Sequence, residues 1–185
     1  WHWKGEGLQD ERKDRFRSIY EAHAGSVLSY ALRRVDSPDE AKDVVSETFL
    51  VAWRRLDDVP EPPLPWLLGT ARRVLANQRR AAGNRAGLVA KLSREAESGA
   101  TAEPADERAR RVRDAMSRLP ETYRESLALI YWEGLSTAEA ARVVGCSRAA
   151  MLVRLHRARR LLERELTMEG DVAAVGATAG IGGVR

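Results

Sequence analysis

The sequence predicts an all-α protein with two small helical domains joined by a flexible linker, the second of them a helix-turn-helix domain. Apolar residues recur at spacings of three and four through most of the chain, which is the period of amphipathic helices. Residues 81–105, rich in Ala, Gly, Ser and Glu, interrupt this pattern and favour a linker. Residues 136–160, STAEAARVVGCSRAAMLVRLHRARR, have the pattern of two helices around a glycine turn.

These features divide the chain into four parts. We expect a first domain at residues 8–80, the linker at 81–105, a second domain at 106–168 and a disordered tail at 169–185, where glycine is frequent and large side chains are few. The first seven residues, WHWKGEG, are left out of this prediction.

The composition favours an acidic partner and gives almost no support to an enzyme. The 185 residues carry a net charge of +4, which favours nucleic acid as the partner. Cys146 is the one cysteine, which excludes an internal disulfide, and no Cys and His residues have metal-ligand spacing. We find no phosphate-binding loop and no nucleophile with a base, so we expect no catalysis, cofactor or small-molecule substrate. We also expect a cytosolic protein without a membrane span or signal peptide.

The first domain is expected to contain three helices. Residues 10–35 have apolar residues at helical spacing, interrupted near Gly25, so one long helix and two short helices both fit. Ser37 then provides an N-cap, Pro38 suits the first helical position and Glu40 completes a capping box, which predicts a second helix. Its core face is expected to comprise Ala41, Val44, Val45, Thr48, Phe49, Ala52, Trp53 and Leu56.

The opposite face of this second helix presents Asp43, Glu47, Leu50 and Arg54. Their spacings of four, three and four place them in one stripe on the helix surface. An exposed leucine among charged residues fits a partner-binding stripe, and a solvated face with one exposed leucine fits the same pattern. The residues alone leave both interpretations open.

The third helix follows a proline-rich loop. Residues 57–65, DDVPEPPLP, contain four prolines and no apolar period, which predicts a stiff loop. The helix at residues 66–80 has an expected core face of Leu67, Ala71, Val74, Leu75 and Gln78. Its other faces carry Arg72, Arg73, Asn77, Arg79 and Arg80. A basic helix therefore ends the first domain.

The second domain opens with two further helices. We predict the first from Asp106 to Arg118 and the next from Pro120 to Glu133, before a helix-ending Gly134. Their expected core residues are Ala109, Val112, Ala115, Met116, Leu119, Tyr123, Leu127, Ile130, Tyr131 and Trp132.

The helix-turn-helix stretch has two helix starts and a turn between them. Ser136 and Glu139 fit a capping box, Gly145 suits the positive φ of a helix end, and Ser147 can cap the last helix. The expected buried stripe of that helix is Met151, Leu155, Ala158, Leu161 and Leu162.

This stretch is also strongly basic. Residues 137–166 contain seven arginines against three glutamates. Such a helix attracts phosphates, and its first residues would face base edges in a major groove. A merely solvated basic face is the alternative, but the two capped helices and the glycine turn together favour DNA binding.

Three segments resemble the extracytoplasmic-function (ECF) group of bacterial sigma factors, in the order of that family. AKDVVSETFLVAWRRL, residues 41–56, resembles region 2.2, and PWLLGTARRVLANQRR, residues 65–80, resembles regions 2.3 and 2.4. LPETYRESLALIYWEGLSTAEAARVVGCSRAAMLVRLHRARRLL, residues 119–162, resembles regions 4.1 and 4.2.

The resemblance implies a promoter-specificity subunit of bacterial RNA polymerase. Core polymerase would be bound through Asp43, Glu47, Leu50 and Arg54. A minus-10 element, with a flipped base captured by the loop, would be bound through Pro62, Leu64, Arg73, Asn77 and Arg80. A minus-35 element would be read through Ser147, Arg148, Ala149, Met151, Leu152, Arg154 and Arg157. An anti-sigma protein is a further implied partner, since many relatives are held inactive by one.

The sequence departs from the family pattern in three places. Ala149 and Ala150 replace a common Gly-Thr pair, and Leu152 replaces a lysine, so Leu152 offers only apolar contact, for instance to a thymine methyl group. Prolines fill the minus-10 loop where relatives carry aromatic and basic residues, which leaves the base-capturing residue open. Arg73 occupies a position that is often Asn.

A conventional helix-turn-helix repressor or activator is the alternative function. It would explain residues 136–160. It leaves unexplained both the exposed stripe of the second helix and the proline loop before a basic helix.

Overall fold

The structure, a computed structural model, describes residues 3–89 and 107–179, with side chains over 9–81 and 109–167. Within these ranges the chain is helical and has no β-strand, which confirms the all-α class. The helices are α1 (Trp3–Leu32), α2 (Pro38–Arg54), α3 (Leu64–Val89), α4 (Glu107–Arg118), α5 (Glu121–Tyr131), α6 (Thr137–Val144) and α7 (Arg148–Ala179), with one 3₁₀ turn at Leu56–Asp58.

The chain divides into two compact units, as the predicted fold class requires. The first contains α1, α2 and α3, and the second contains α4, α5, α7 and most of α6. The predicted domain limits of 8–80 and 106–168 stay predictions, because most of the linker at 81–105 lies outside the described residues.

Two helices run further than predicted. α3 continues to Val89 instead of ending at residue 80, and α7 continues to Ala179, through most of the stretch predicted as a disordered tail. No proline interrupts either helix after its first turn, and alanine, the strongest helix former, is frequent in both extensions. Helical propensity therefore outweighs the glycines in these segments.

The first domain is built around one apolar core between α1, α2 and α3. α1 passes through Gly25 without a break, so the single long helix is the correct one of the two predicted arrangements. Val45, Trp53 and Gln78 are only half-buried, in contrast to their predicted core positions. The buried residues include Val27, Tyr30, Ala31, Ala41, Val44, Thr48, Phe49, Ala52, Leu56, Leu67, Leu68, Ala71, Val74 and Leu75.

Aromatic rings join α1 to α2 at the edge of this core. The ring centroids of Phe16 and Trp53 are 5.2 Å apart, and those of Tyr20 and Phe49 are 4.7 Å apart, both pairs packing edge to face. Such pairs contribute about 0.5–1.5 kcal/mol beyond the burial of their area. Trp53 thus stabilises the domain from its half-buried position.

In the second domain α7 packs against α4 and α5. The buried residues of these helices are Ala115, Met116, Ser126, Leu127, Ala128, Leu129, Met151, Leu155 and Ala158. Leu119 is buried just after α4, whereas Val112, Tyr123, Ile130, Leu161 and Leu162 are half-buried. None of the described helices combines the length and apolar character that a membrane span requires.

Three predicted core residues of this domain are exposed: Ala109, Tyr131 and Trp132. Ala109 offers a single methyl group, which gives little free energy for burial. α5 ends at Tyr131, so both aromatic residues lie at the end of the helix. There the Tyr131 hydroxyl accepts a hydrogen bond from Arg159 Nε at 3.0 Å, which suits a ring with a polar tip at the surface.

Candidate protein and nucleic-acid interfaces

The α2 stripe consists of Asp43, Glu47, Leu50 and Arg54, all of them exposed. They face solvent because the opposite side of the helix lies in the core. Leu50 exposes 48% of its surface. Gln78 Nε2 of α3 donates a hydrogen bond to Glu47 Oε1 at 3.3 Å, which orients this carboxylate beside the leucine. The stripe therefore offers an apolar centre with a charged rim, an arrangement typical of a protein contact.

A further carboxylate extends the charge of the α2 stripe by one turn. Asp39 is exposed and accepts a hydrogen bond from Lys42 Nζ at 2.8 Å. This hydrogen bond and the lysine charge lower the pKa of Asp39, and the same pair raises the pKa of Lys42. Asp39 stays ionised at neutral pH, but an exposed pair of this kind contributes little to stability.

The proline loop at residues 57–65 is attached to α1 by two arginines. Arg15 Nη2 donates a hydrogen bond to the Val59 carbonyl at 2.8 Å, and Arg12 forms an ion pair with Asp57 at 2.5 Å. Val59, Pro63 and Pro65 are buried, so both sides of the loop are anchored. The exposed tip is formed by Pro60, Glu61 and Pro62.

The predicted minus-10 residues fall into two groups. Arg73, Asn77 and Arg80 are exposed and share one face of α3, since their spacings are four and three. Leu64 begins α3, about 14 Å along the helix axis from Arg73. Pro62 is exposed beside it, but Leu64 is half-buried and less accessible to a base than predicted. A strand that touches both groups must therefore run along α3.

Hydrogen bonds within α3 hold its basic face in place. Arg73 Nε donates to the Gly69 carbonyl at 3.0 Å. Arg80 Nη2 donates to Asn77 Oδ1 at 2.6 Å, and Arg80 Nε donates to the Ala76 carbonyl at 3.3 Å. The guanidinium groups thus have defined positions before any ligand binds.

The helix-turn-helix forms from the predicted capping residues. The Ser136 backbone N–H donates to Glu139 Oε2 at 2.8 Å, and the Glu139 N–H donates to Ser136 Oγ at 3.3 Å, so the capping box is confirmed. Gly145 has φ of 73°, which only glycine adopts without strain. Ser147 Oγ accepts a hydrogen bond from the Ala150 N–H at 3.1 Å and caps α7.

One predicted minus-35 residue faces the wrong way. Met151 is fully buried, so it belongs to the core and cannot reach a base edge. The sequence analysis placed Met151 both in the buried stripe and in the base-contacting set. Because α7 packs on α4 and α5, Met151 lies in the core. Ser147, Arg148, Ala149, Leu152 and Arg157 are exposed, and Arg154 is half-buried.

The predicted set omitted several exposed residues of α7, among them Val153, His156 and Arg160. With Met151, Leu155 and Ala158 buried, the helical period of 3.6 places these residues on the opposite side. The same periodicity applied strictly to the sequence would have found them. Among the described side chains, no three His, Cys, Asp or Glu residues are arranged to hold a metal ion.

Two family models match the chain. The model described as Sigma-70 region 2 matches residues 19–85, and the model described as Sigma-70, region 4 matches residues 109–162. The first range contains the α2 stripe and the basic face of α3. The second contains the helix-turn-helix.

Known proteins are similar over most of the chain. The ECF RNA polymerase sigma factor SigL of Mycobacterium tuberculosis is 30% identical over 155 residues, which cover 81% of this chain and 88% of SigL. The ECF RNA polymerase sigma factor EcfG of Rhodopseudomonas palustris is 31% identical over 163 residues, which cover 85% of this chain and 88% of EcfG.

Solved structures share the fold. The sigma factor RpoE of Bartonella quintana, solved in complex with the anti-sigma factor NepR, has a TM-score of 0.67 at 23% identity and covers 82% of this chain and 96% of RpoE. CnrH, solved with the cytosolic domain of CnrY, has a TM-score of 0.57 at 26% identity and covers 83% of this chain and 88% of CnrH.

Proposed function

The chain belongs to the extracytoplasmic-function group of sigma-70 factors, and on this basis we propose that it binds core RNA polymerase and directs it to promoters with defined minus-10 and minus-35 elements. The α2 stripe docks on the polymerase. The proline loop and α3 bind the minus-10 element, and α7 reads the minus-35 element. The polymerase supplies the catalysis.

The observation that carries this proposal is the helix-turn-helix within a match to sigma-70 region 4. Its second helix starts with a capped turn and presents Arg148, Ala149 and Leu152 to solvent. In this motif the residues at the start of the second helix contact base edges, while arginines further along bind phosphates. Arg154 and Arg157 would take the second role.

The first domain supplies the downstream contact and assists DNA melting. Arg73 and Arg80 would bind phosphates of the separated strand, and the amide of Asn77 would reach a base or sugar. Unstacking costs a few kcal/mol for each extruded base. Contacts of the loop tip with a flipped base, together with the phosphate contacts, would offset this cost.

An anti-sigma protein is part of the proposal as a regulatory partner. The support is that RpoE, which shares the fold, was solved with the anti-sigma factor NepR. The α2 stripe would then be a surface for which polymerase and inhibitor compete.

Run-off transcription with core polymerase, with and without the protein, tests the proposed function. A promoter-dependent transcript that requires the protein is expected on DNA selected by the reconstituted complex. The alternative, a conventional helix-turn-helix regulator, predicts no such transcript and tight binding of a protein dimer to a palindrome in the absence of polymerase.

A further inference from the structure

An apolar patch covers the first two turns of α7 on the side that faces solvent. It is formed by Ala149, Leu152 and Val153, which we call the α7 patch. Leu152 exposes 51% and Val153 exposes 50% of its surface. An amphipathic helix with Met151 and Leu155 buried normally carries polar residues on its opposite side. The α7 patch is therefore unusual for a merely solvated face.

Arginines around the α7 patch identify the kind of molecule that covers it. Arg148 precedes the patch, and Arg157 and Arg160 follow it, all three exposed. In the described part of the chain no carboxylate pairs with any of these three arginines. This surplus of positive charge around an apolar centre matches the major groove of DNA, in which apolar methyl groups lie between two rows of phosphates.

Within the major groove only one base offers an apolar group to such a patch. Thymine carries a methyl group at C5, whereas the other bases present hydrogen-bond donors and acceptors alone. Arg148 is the one exposed side chain with hydrogen-bond donors among residues 148–155. Ser147 Oγ accepts a hydrogen bond from the Ala150 N–H at 3.1 Å, which leaves its O–H as the one donor for a base. Hydrogen-bond readout by the helix start is accordingly limited.

The length of the α7 patch sets how many bases it reads. From Ala149 to Val153 the helix axis advances about 6 Å. This is close to two base-pair steps of about 3.4 Å. Leu152 and Val153 lie three and four residues after Ala149, so both are neighbours of Ala149 on the helix surface, and both extend outward beyond its single methyl group.

We propose that the α7 patch reads the methyl groups of thymines at two neighbouring base pairs of the minus-35 element. This inference rests on the proposed function and adds the chemistry that determines its specificity. Leu152 and Val153 are then specificity-determining residues, and Arg148 selects the adjacent position by hydrogen bonding.

Selection and methyl deletion together test the inference. Polymerase holoenzyme containing the full chain selects DNA from a library randomised upstream of the start site. We expect adjacent T·A pairs in the selected upstream element. Replacing one of these thymines by deoxyuridine removes a methyl group and keeps every hydrogen-bonding group, so binding should weaken about three- to fivefold for each methyl. Deoxyuridine in the spacer between the elements is the matched control and should change nothing.

A protein variant tests whether Leu152 and Val153 cause the preference for thymine. The double substitution Leu152→Ser and Val153→Ser should bind thymine and deoxyuridine DNA equally, with the circular dichroism spectrum unchanged because both residues are exposed. Equal binding of the two DNAs by the unsubstituted protein overturns the inference, as does an undiminished thymine preference in the variant. Unchanged promoter affinity with loss of a protein partner would assign the patch to that partner, and so also overturn it. Failure of the proposed function differs from all of these, because no promoter-dependent transcript would form.

Discussion

The two domains present their arginines in different ways. On α3 the guanidinium groups of Arg73 and Arg80 are hydrogen-bonded to their own helix. On α7 the exposed Arg148 and Arg157 have no such partner in the described part of the chain. A phosphate bound by α3 competes with a bond that already exists, whereas one bound by α7 costs mainly side-chain entropy. We infer that the arginines of α7 contribute more of the affinity for DNA, whereas the arginines of α3 determine where the bound strand lies.

The largest effect is expected at the α2 stripe, the proposed contact with the polymerase. Leu50→Asp combined with Glu47→Arg places a charge at the apolar centre of the α2 stripe and reverses one at its rim. Binding to core polymerase should weaken about thirtyfold, or about 2 kcal/mol, in a pull-down or fluorescence titration. Leu32→Asp is the matched control, because Leu32 is a leucine of the same domain with 46% exposure outside the stripe. If both variants weaken core binding equally, the assignment of the α2 stripe as the polymerase contact is wrong.

The contrast between α7 and α3 is tested directly by alanine substitutions. Arg154→Ala and Arg157→Ala should each weaken promoter binding by about 1–2 kcal/mol and lower the salt dependence of that binding by about one released counterion. Arg73→Ala should cost less affinity, because its guanidinium exchanges one hydrogen bond for another. Titrations at several fixed salt concentrations measure both quantities, and Arg113→Ala on α4 is the control. A larger affinity loss for Arg73→Ala than for Arg157→Ala would reverse the distinction.

The attachment of the proline loop to α1 is tested next, because it determines the position of the loop in the first domain. Arg15→Ala removes the hydrogen bond to the Val59 carbonyl, which should lower the free energy of unfolding by about 1–2 kcal/mol. It should also slow promoter melting, measured with 2-aminopurine in the minus-10 element, while leaving minus-35 binding unchanged. Arg17→Ala is the control, since Arg17 pairs only with Asp14 on the same exposed helix face. Normal melting by the Arg15 variant would show that the attachment is dispensable.

The smallest effects are expected at the helix caps, one in each domain. Ser37→Ala and Ser136→Ala each remove a hydroxyl that accepts from the backbone N–H three residues later. Each should cost about 1 kcal/mol in urea unfolding. Ser136→Ala should also weaken promoter binding, because it loosens the start of α6, whereas Ser37→Ala should affect polymerase binding instead. Ser18→Ala is the control, because Ser18 is an exposed serine inside α1 and caps no helix.

Local signals were sufficient to predict the caps, the exposed α2 stripe and the helix-turn-helix. Ser136, Glu139 and Gly145 act through bonds and dihedral angles within a few residues, so their effect is readable from the sequence. The buried stripe of α7 was also readable, because Met151, Leu155 and Ala158 recur at helical spacing. Assigning Met151 to base contacts as well was wrong, because one side chain cannot lie in both the core and the groove. The exposure of Tyr131 and Trp132 was not readable, because it depends on where α5 ends. The continuation of α3 and α7 depends on propensity, which the glycines obscured.

The central claim is that the two domains contact two separate promoter elements at the same time. The most direct measurement places a photocrosslinking amino acid at Ala76 on α3 or at Ala149 on α7, both exposed, and maps the crosslinks in the holoenzyme–promoter complex. We predict crosslinks from position 76 to the minus-10 element and from position 149 to the minus-35 element. Crosslinks from both positions to one element, or none to DNA from position 149, would contradict the account.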